Sequence, residues 1–223
     1  NDLSLDEHVQ LSKSFQNLVQ LTITGGEPIL RGDVPEIIHA YYANAGLAKC
    51  TIVTNATYPD KVVSCVNKTL ELCPNIDLSV NVSIDGLTDI HEKIRGVKGC
   101  FDRTIESLNL LLEIRRMHKN MMVNVTTVIS KMNYEHSEEI YNFILSHFQV
   151  DNHFFLLARG KTKDPDAKDV PIETYHKIIR LLEHEDNRSR HYLGFPVKML
   201  SQAMRSLVFQ TAEKGEYIIP CVA

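Results

Sequence analysis

Apolar residues gather into five short runs, Val19–Thr24, Cys50–Thr54, Leu78–Ile84, Met122–Ile129 and His153–Ala158. Each is rich in the Val, Ile, Leu, Phe and Thr that pack well on a pleated surface. Several are apolar almost throughout, the pattern of parallel strands covered on both faces. The segments between them carry helical spacing. The clearest is Asp102–Met117, where Ile105, Leu108, Leu111, Leu112 and Ile114 form a stripe opposite Arg103, Glu106, Glu113 and Arg116. Val34–Asn44, Asp60–Leu72, Glu135–His147 and Ile172–Glu183 read as further helices. A first helix over Asp6–Leu18 follows the capping-box spacing of Ser4 and Glu7. Strand starts recur at the period of a strand plus a crossover helix, which builds either a doubly wound sheet or a barrel. Five strands are too few to close an eight-stranded barrel, so a partial, open one is expected.

Composition narrows the class. The chain has 223 residues, 43% of them hydrophobic and 23% charged, which excludes a disordered or collagen-like chain. A net charge of −4 argues against a nucleic-acid surface. No apolar run is long enough to cross a bilayer, and no signal peptide opens the chain, so a cytoplasmic protein without a membrane partner is expected. Cys50, Cys65, Cys73, Cys100 and Cys221 are odd in number and scattered, as in a reducing compartment. The first four read as small buried hydrophobes, and Met117, Met121, Met122, Met199 and Met204 as core filler. The chain opens at Asn1 and ends at Cys221-Val222-Ala223 with no finishing element, so it is expected to be cut at both ends.

Candidate chemistry lies where parallel strands end, since ligands bind beyond their carboxyl ends. Gly25-Gly26-Glu27-Pro28 follows the first run, Thr54-Asn55 closes the second, and Ser83-Ile84-Asp85-Gly86 closes the third. Two glycines admit a ligand close to the backbone, and Glu27 suits an ammonium group. The same loop also reads as a tight turn carrying a solvated glutamate. It lacks phosphate-loop spacing, and a carboxylate there would repel phosphate. Ser83 offers a hydroxyl, and Arg95 offers the planar fork that matches a carboxylate. An α-amino acid head would satisfy both ends of this rim.

Thr24-Gly25-Gly26-Glu27-Pro28, followed by Val82-Ser83-Ile84-Asp85-Gly86, His91, Arg95-Gly96 and Gly99, resembles the signatures of radical S-adenosylmethionine (SAM) enzymes. The resemblance runs along nearly the whole chain in order. It implies an α/β fold, a partial (β/α)6 barrel whose first strand and cluster loop are absent from this chain, with the five runs as its second to sixth strands. It further implies that Gly25, Gly26 and Glu27 hold the SAM amino group and that Ser83 and Arg95 hold its carboxylate or ribose. By the same resemblance Thr54 and Asn55 lie on the SAM rim and Leu156 lies along the adenine. Asp85 and His91 are expected to brace the loop. The family's cofactors are SAM and a [4Fe-4S] cluster held by a Cys-x3-Cys-x2-Cys triplet. This sequence lacks that spacing, and the triplet is expected to precede Asn1.

Residues 1–170 are expected to form the barrel core. Residues 171–223 are expected to form a helical part leading toward a SPASM-type extension, which Ile218-Ile219-Pro220-Cys221 resembles. That likeness implies a peptide or protein substrate, and the radical SAM resemblance implies an electron donor such as a flavodoxin or ferredoxin. Two rivals stand beside this reading. One is a non-catalytic SAM-binding or scaffold module on a degenerate barrel. The other is a TIM-like aldolase or lyase, for which Lys131 is the one Schiff-base candidate.

Overall fold

A computed structural model describes residues 2–158, 165–171, 173–174, 176–178 and 180. Five parallel strands, β1 (Gln20–Ile23), β2 (Lys49–Thr54), β3 (Asp77–Ser83), β4 (Met121–Ile129) and β5 (Asn152–Leu157), pair in sequence order. A doubly wound sheet would reverse its order at a switch point. This one never does, so right-handed crossovers place successive helices on one side. Among the described residues β1 and β5 each pair on one edge only, leaving the sheet open as the sequence implies.

The helices are α1 (Leu5–Ser12), α2 (Val34–Ala45), α3 (Pro59–Leu72), α4 (Thr88–Arg95), α5 (Cys100–Met117) and α6 (Ser137–His147). Ile38 of α2, Val66 of α3, Leu108 and Leu111 of α5 and Ile140 of α6 pack with Cys50, Ile52, Leu78, Val80, Val82, Val123 and Val125 into one core. Those strand residues all lie on one face. The register puts Thr22, Thr51, Ser79, Asn81, Ser83, Asn124, Thr126 and Asn152 on the other. The strands therefore alternate, contrary to the expectation of apolar cover on both faces. The inner face is mostly polar, with Val53, Met122, Val128, Phe154 and Leu156 as its apolar members.

Other boundaries shift for local reasons. The capping box at Ser4 and Glu7 forms, but α1 stops at Ser12, and Asn17 takes a left-handed φ of 55° before β1. Helix α4 was not expected: only His91 of its eight residues is buried, so it carries no apolar stripe. Gly96 ends it in the left-handed conformation. Met121 is core as expected, whereas Met117 is 75% exposed at the end of α5. Met199, Met204, Cys221 and half of the expected helix Ile172–Glu183 lie outside the described residues.

Two core histidines make the fold acid-sensitive. Thr127 Oγ1 donates its one proton to the Ile84 carbonyl at 2.7 Å, so the 2.8 Å contact with His153 Nε2 places a proton on that nitrogen. Burial pushes His153 down to about 3, and burial, aided by Arg95, pushes His91 down to about 4. Both are neutral when folded at pH 7 and protonate near 6.5 when unfolded. The unfolded chain thus binds more protons below pH 6.5, and stability falls with pH across the window from 6.5 down to these values. Two such protons give a slope of about 2.7 kcal/mol per pH unit. Urea melts at successive pH values should show this fall, and His153→Phe should remove roughly half of it.

Candidate functional site

The loop after β1 is built around one carboxylate. Glu27 precedes the 3-10 turn Pro28–Leu30, and its Oε1 accepts from the Ile29 N–H at 3.2 Å. The same oxygen accepts from Thr54 Oγ1 at 2.6 Å, and Oε2 accepts from the Asn55 N–H at 2.7 Å. Glu27 thereby fastens the end of β1 to the end of β2. A carboxylate has about four acceptor positions, so roughly one remains for an incoming donor.

Thr54 sits behind this rim at 2% exposure. Its hydroxyl donates to Glu27 and accepts from the Ala56 N–H at 2.9 Å. Thr54 thus positions Glu27, and its one hydroxyl proton is spent on that carboxylate. Asn55 is half-buried on the rim, with its Oδ1 taken by the Thr57 N–H at 3.0 Å. Thr104 and Ser107 of α5 donate to the carbonyls of Asn55 and Ala56 at 2.9 and 2.6 Å and fix this loop from below.

Gly25 has φ +146°, a conformation that L residues rarely adopt, and a Cβ on either Gly25 or Gly26 would meet nothing within 4 Å. Open space therefore lies directly over the loop backbone. The two glycines should separate by substitution. Gly25→Ala strains the free chain, at about 1–3 kcal/mol for a side chain in such a region. Gly26→Ala should leave the melting temperature unchanged and act only on what approaches the loop. Thermal melts of both variants check this.

Ser83 ends β3, half-buried, without the hydrogen bonds that tie its neighbours. It lies opposite Thr126 on the inner face. Leu156 pairs with Val128 on that face and is 44% exposed, beside the similarly exposed Phe154. Gly25–Glu27, Asn55, Ser83 and Leu156 all lie at the carboxyl end of the sheet.

Arg95 has a different first partner from the one expected. Its Nη2 meets Asp85 Oδ2 at 2.6 Å. Asp85 Oδ1 accepts from the Val128 N–H at 2.9 Å, its own N–H donates to His91 Nδ1 at 3.1 Å, and its carbonyl accepts from Asn133 Nδ2 at 2.6 Å. Burial pushes the Asp85 carboxyl up, while Arg95 and the Val128 N–H pull the other way. Asp85 and His91 thus brace the loop. Asn133, buried and absent from the sequence reading, ties the loops after β3 and β4 together through Asp85 and the Val128 carbonyl. Glu92, on the same helix as Arg95, is engaged elsewhere: its Oε1 accepts from the Gly99 N–H at 2.7 Å.

Lys131 does not support the aldolase rival. It is exposed, faces Asp166 and Asp169 at 3.6 Å, and their charges raise its pKa. A Schiff-base lysine needs the opposite shift. The four described cysteines likewise do not fit an iron–sulfur cluster. Burial pushes Cys50 up to about 12 and Cys65 and Cys73 up to about 11, and raises Cys100. They are protonated thiols in the core, and cluster iron binds thiolates. Among the described residues no group of three His, Cys, Asp or Glu is placed to hold a metal, and no helix is long and apolar enough to cross a membrane.

The model of the radical SAM superfamily matches residues 1–144. The chain belongs to the radical SAM superfamily. That family uses SAM and a [4Fe-4S] cluster. The chain is similar to an Fe-coproporphyrin III synthase of Methanosarcina barkeri, 29% identical over 206 residues, 90% of this chain and 48% of that protein. It is similar to an AdoMet-dependent heme synthase of Nitratidesulfovibrio vulgaris, 27% identical over 80% of this chain and 46% of that one. The chain therefore spans about half the length of these relatives. A solved structure of anSMEcpe with bound AdoMet shares the fold at a TM-score of 0.57 and 16% identity, over 81% of this chain and 50% of that one. This likeness supports the partial barrel. Of the two cofactors, SAM suits the residues present: open space over Gly25 and Gly26, an acceptor at Glu27 and a free hydroxyl at Ser83.

Proposed function

We propose that this chain is the SAM-binding part of a radical SAM enzyme whose intact form modifies a peptide or protein. A low-potential donor such as a flavodoxin or ferredoxin would deliver the electron. In this family, bound SAM yields a 5′-deoxyadenosyl radical on one-electron reduction. The observation that carries the reading is the Gly25-Gly26-Glu27 loop, open above its backbone and held by Thr54 and Asn55, at the same end of the sheet as Ser83.

Each residue then has a physical task. Glu27, with about one acceptor position left, takes an N–H of the SAM ammonium, and the open glycine backbone lets that group approach. Ser83 donates to the carboxylate or a ribose oxygen. Arg95 keeps Asp85 on one nitrogen and turns a remaining N–H to the same carboxylate. Leu156 and its exposed neighbour Phe154 supply apolar cover for the adenine.

Titration of SAM into the intact, cluster-loaded protein tests this. Wild type should bind, and Ser83→Ala should bind about 2- to 12-fold more weakly, the worth of one net hydrogen bond. Gly26→Ala should abolish saturable binding while leaving the melting temperature unchanged. A folded protein that takes up no SAM would overturn the proposal.

A further inference from the structure

Three asparagines stand abreast on the inner face, Asn81 on β3, Asn124 on β4 and Asn152 on β5, in direct register. Asparagine is depleted in strands, and one at the same level of three neighbours is not a packing choice. Their hydrogen bonds run in one direction. Asn152 Nδ2 donates to Asn124 Oδ1 at 2.9 Å, and Asn124 Nδ2 donates to Asn81 Oδ1 at 2.9 Å and to Ser79 Oγ at 2.8 Å. Asn124 thereby uses both its N–H groups and its oxygen, and it is buried. The ends are not. Among the described residues the Asn81 NH2 group has no acceptor and Asn152 Oδ1 has no donor, and neither atom is sealed off. The ladder presents a donor at one end and an acceptor at the other.

Charge limits what belongs there. Among the described strand residues of the inner face the only charges are Lys49 and Asp77, in the row at the far end from the rim. Above that row the described residues of this face carry no cation, so a carboxylate-bearing substrate would bring an unpaired anion there, at a desolvation cost that neutral amides do not repay. A neutral amide carries both a carbonyl and an N–H, matching the two free ends. Neighbouring strands lie about 4.8 Å apart, so the ends are about 10 Å apart, the span of roughly three residues of extended peptide. Val128, Phe154 and Leu156 continue the same face as an apolar wall. Ser83 lies two residues above Asn81, about 7 Å along the strand.

We propose that the Asn81–Asn124–Asn152 ladder is the substrate floor of this protein and that it takes an uncharged amide-bearing segment, a peptide backbone, below the SAM rim. This rests on the SAM-binding reading for the rim's occupant, while the ladder's own chemistry is read from its free ends. Asn124 is a positioning residue, and Asn81 and Asn152 make the contacts.

Side-chain amide NMR of the 15N-labelled chain tests it, with the Asn81 NH2 pair assigned by its loss in Asn81→Ala. The probes are N-acetyl-glycyl-glycine N-methylamide, which is neutral and about as long as the ladder, and the dicarboxylate glutarate. The Asn81 pair should shift saturably with the neutral probe, with Kd in the millimolar range, and not with glutarate. Asn152→Ala, which leaves the Asn124–Asn81 bond in place, should weaken binding several-fold. No saturable shift with the neutral probe, or equal affinity in Asn152→Ala, would overturn the proposal. A shift with glutarate alone would overturn it too, in favour of a carboxylate-bearing substrate such as a tetrapyrrole. SAM titration of the intact protein separates the two readings. A protein that binds SAM while its ladder ignores the neutral probe refutes the ladder alone. A responding ladder in a protein that takes no SAM refutes the rim alone.

Discussion

Asp85→Ala should lower the melting temperature by about 6–12 °C, the counterpart of about 3 kcal/mol in a chain of this size. The side chain is 6% exposed and joins Arg95 to the Val128 N–H across two loops. Its removal leaves a partly buried guanidinium, whose Nε already has no partner, without its counter-ion. Breaking one side of such a pair costs more than the pair contributes, because the remaining charge stays desolvated. Asp85→Asn keeps an acceptor for Val128 and should lose about half as much. Arg95→Ala behaves differently with pH. It strands a buried carboxyl whose folded pKa, already pushed up by burial, then rises further above its unfolded value. The folded state gains from protonation there, so stability relative to wild type is best at low pH and is lost as pH rises through the folded value. Calorimetric melts of the three variants beside wild type, at pH 7 and about pH 5, check both signs. An Arg95→Ala deficit that grows toward acid would mean that Asp85 is not buried in the folded protein.

The sheet was legible because its helix-facing residues are apolar and its period is regular. Cys50, Ile52, Val80, Val123 and their helical partners announce themselves by type and spacing. The inner face was not, since reading runs such as Leu78–Ile84 as covered on both sides passes over Ser79, Asn81 and Ser83 in alternation. A signal was present: an asparagine recurs within three successive strands, against strand propensity. Their direct register is a fact of pairing that no single segment contains. Helix α4 escaped because its stability comes from the Gly96 cap and from His91 beneath Asp85, not from an apolar stripe. For the candidate site, residue types singled out Gly25, Gly26, Glu27 and Ser83, which the fold places at one end of the sheet. They did not show that Thr54 is spent on Glu27, or that Arg95 answers first to Asp85, because both depend on contacts between separate strand ends.

Glu27→Ala in the intact, cluster-loaded protein should weaken SAM binding by more than about 100-fold, beyond the loss of one ammonium contact. A single charge-assisted hydrogen bond contributes roughly 1.5–3 kcal/mol, equivalent to about 10- to 150-fold. The same substitution also strips acceptors from Thr54 Oγ1 and from the Ile29 and Asn55 N–H groups, so the rim loses its shape as well as its charge. Glu27→Gln separates these contributions. Its amide oxygen still serves Thr54 and Ile29, but its NH2 group faces the Asn55 N–H donor and carries no charge for the ammonium. Affinity should fall by an intermediate factor of about 10–30, with the melting temperature nearly that of wild type. Glu27→Asp keeps the charge on a shorter arm and should disturb the bridge to β2 before it disturbs the ammonium contact. Isothermal titration of SAM into the three variants, paired with thermal melts, reads both effects. If Glu27→Gln binds SAM as tightly as wild type, the carboxylate serves only to join β1 to β2 and takes no part in holding the ligand.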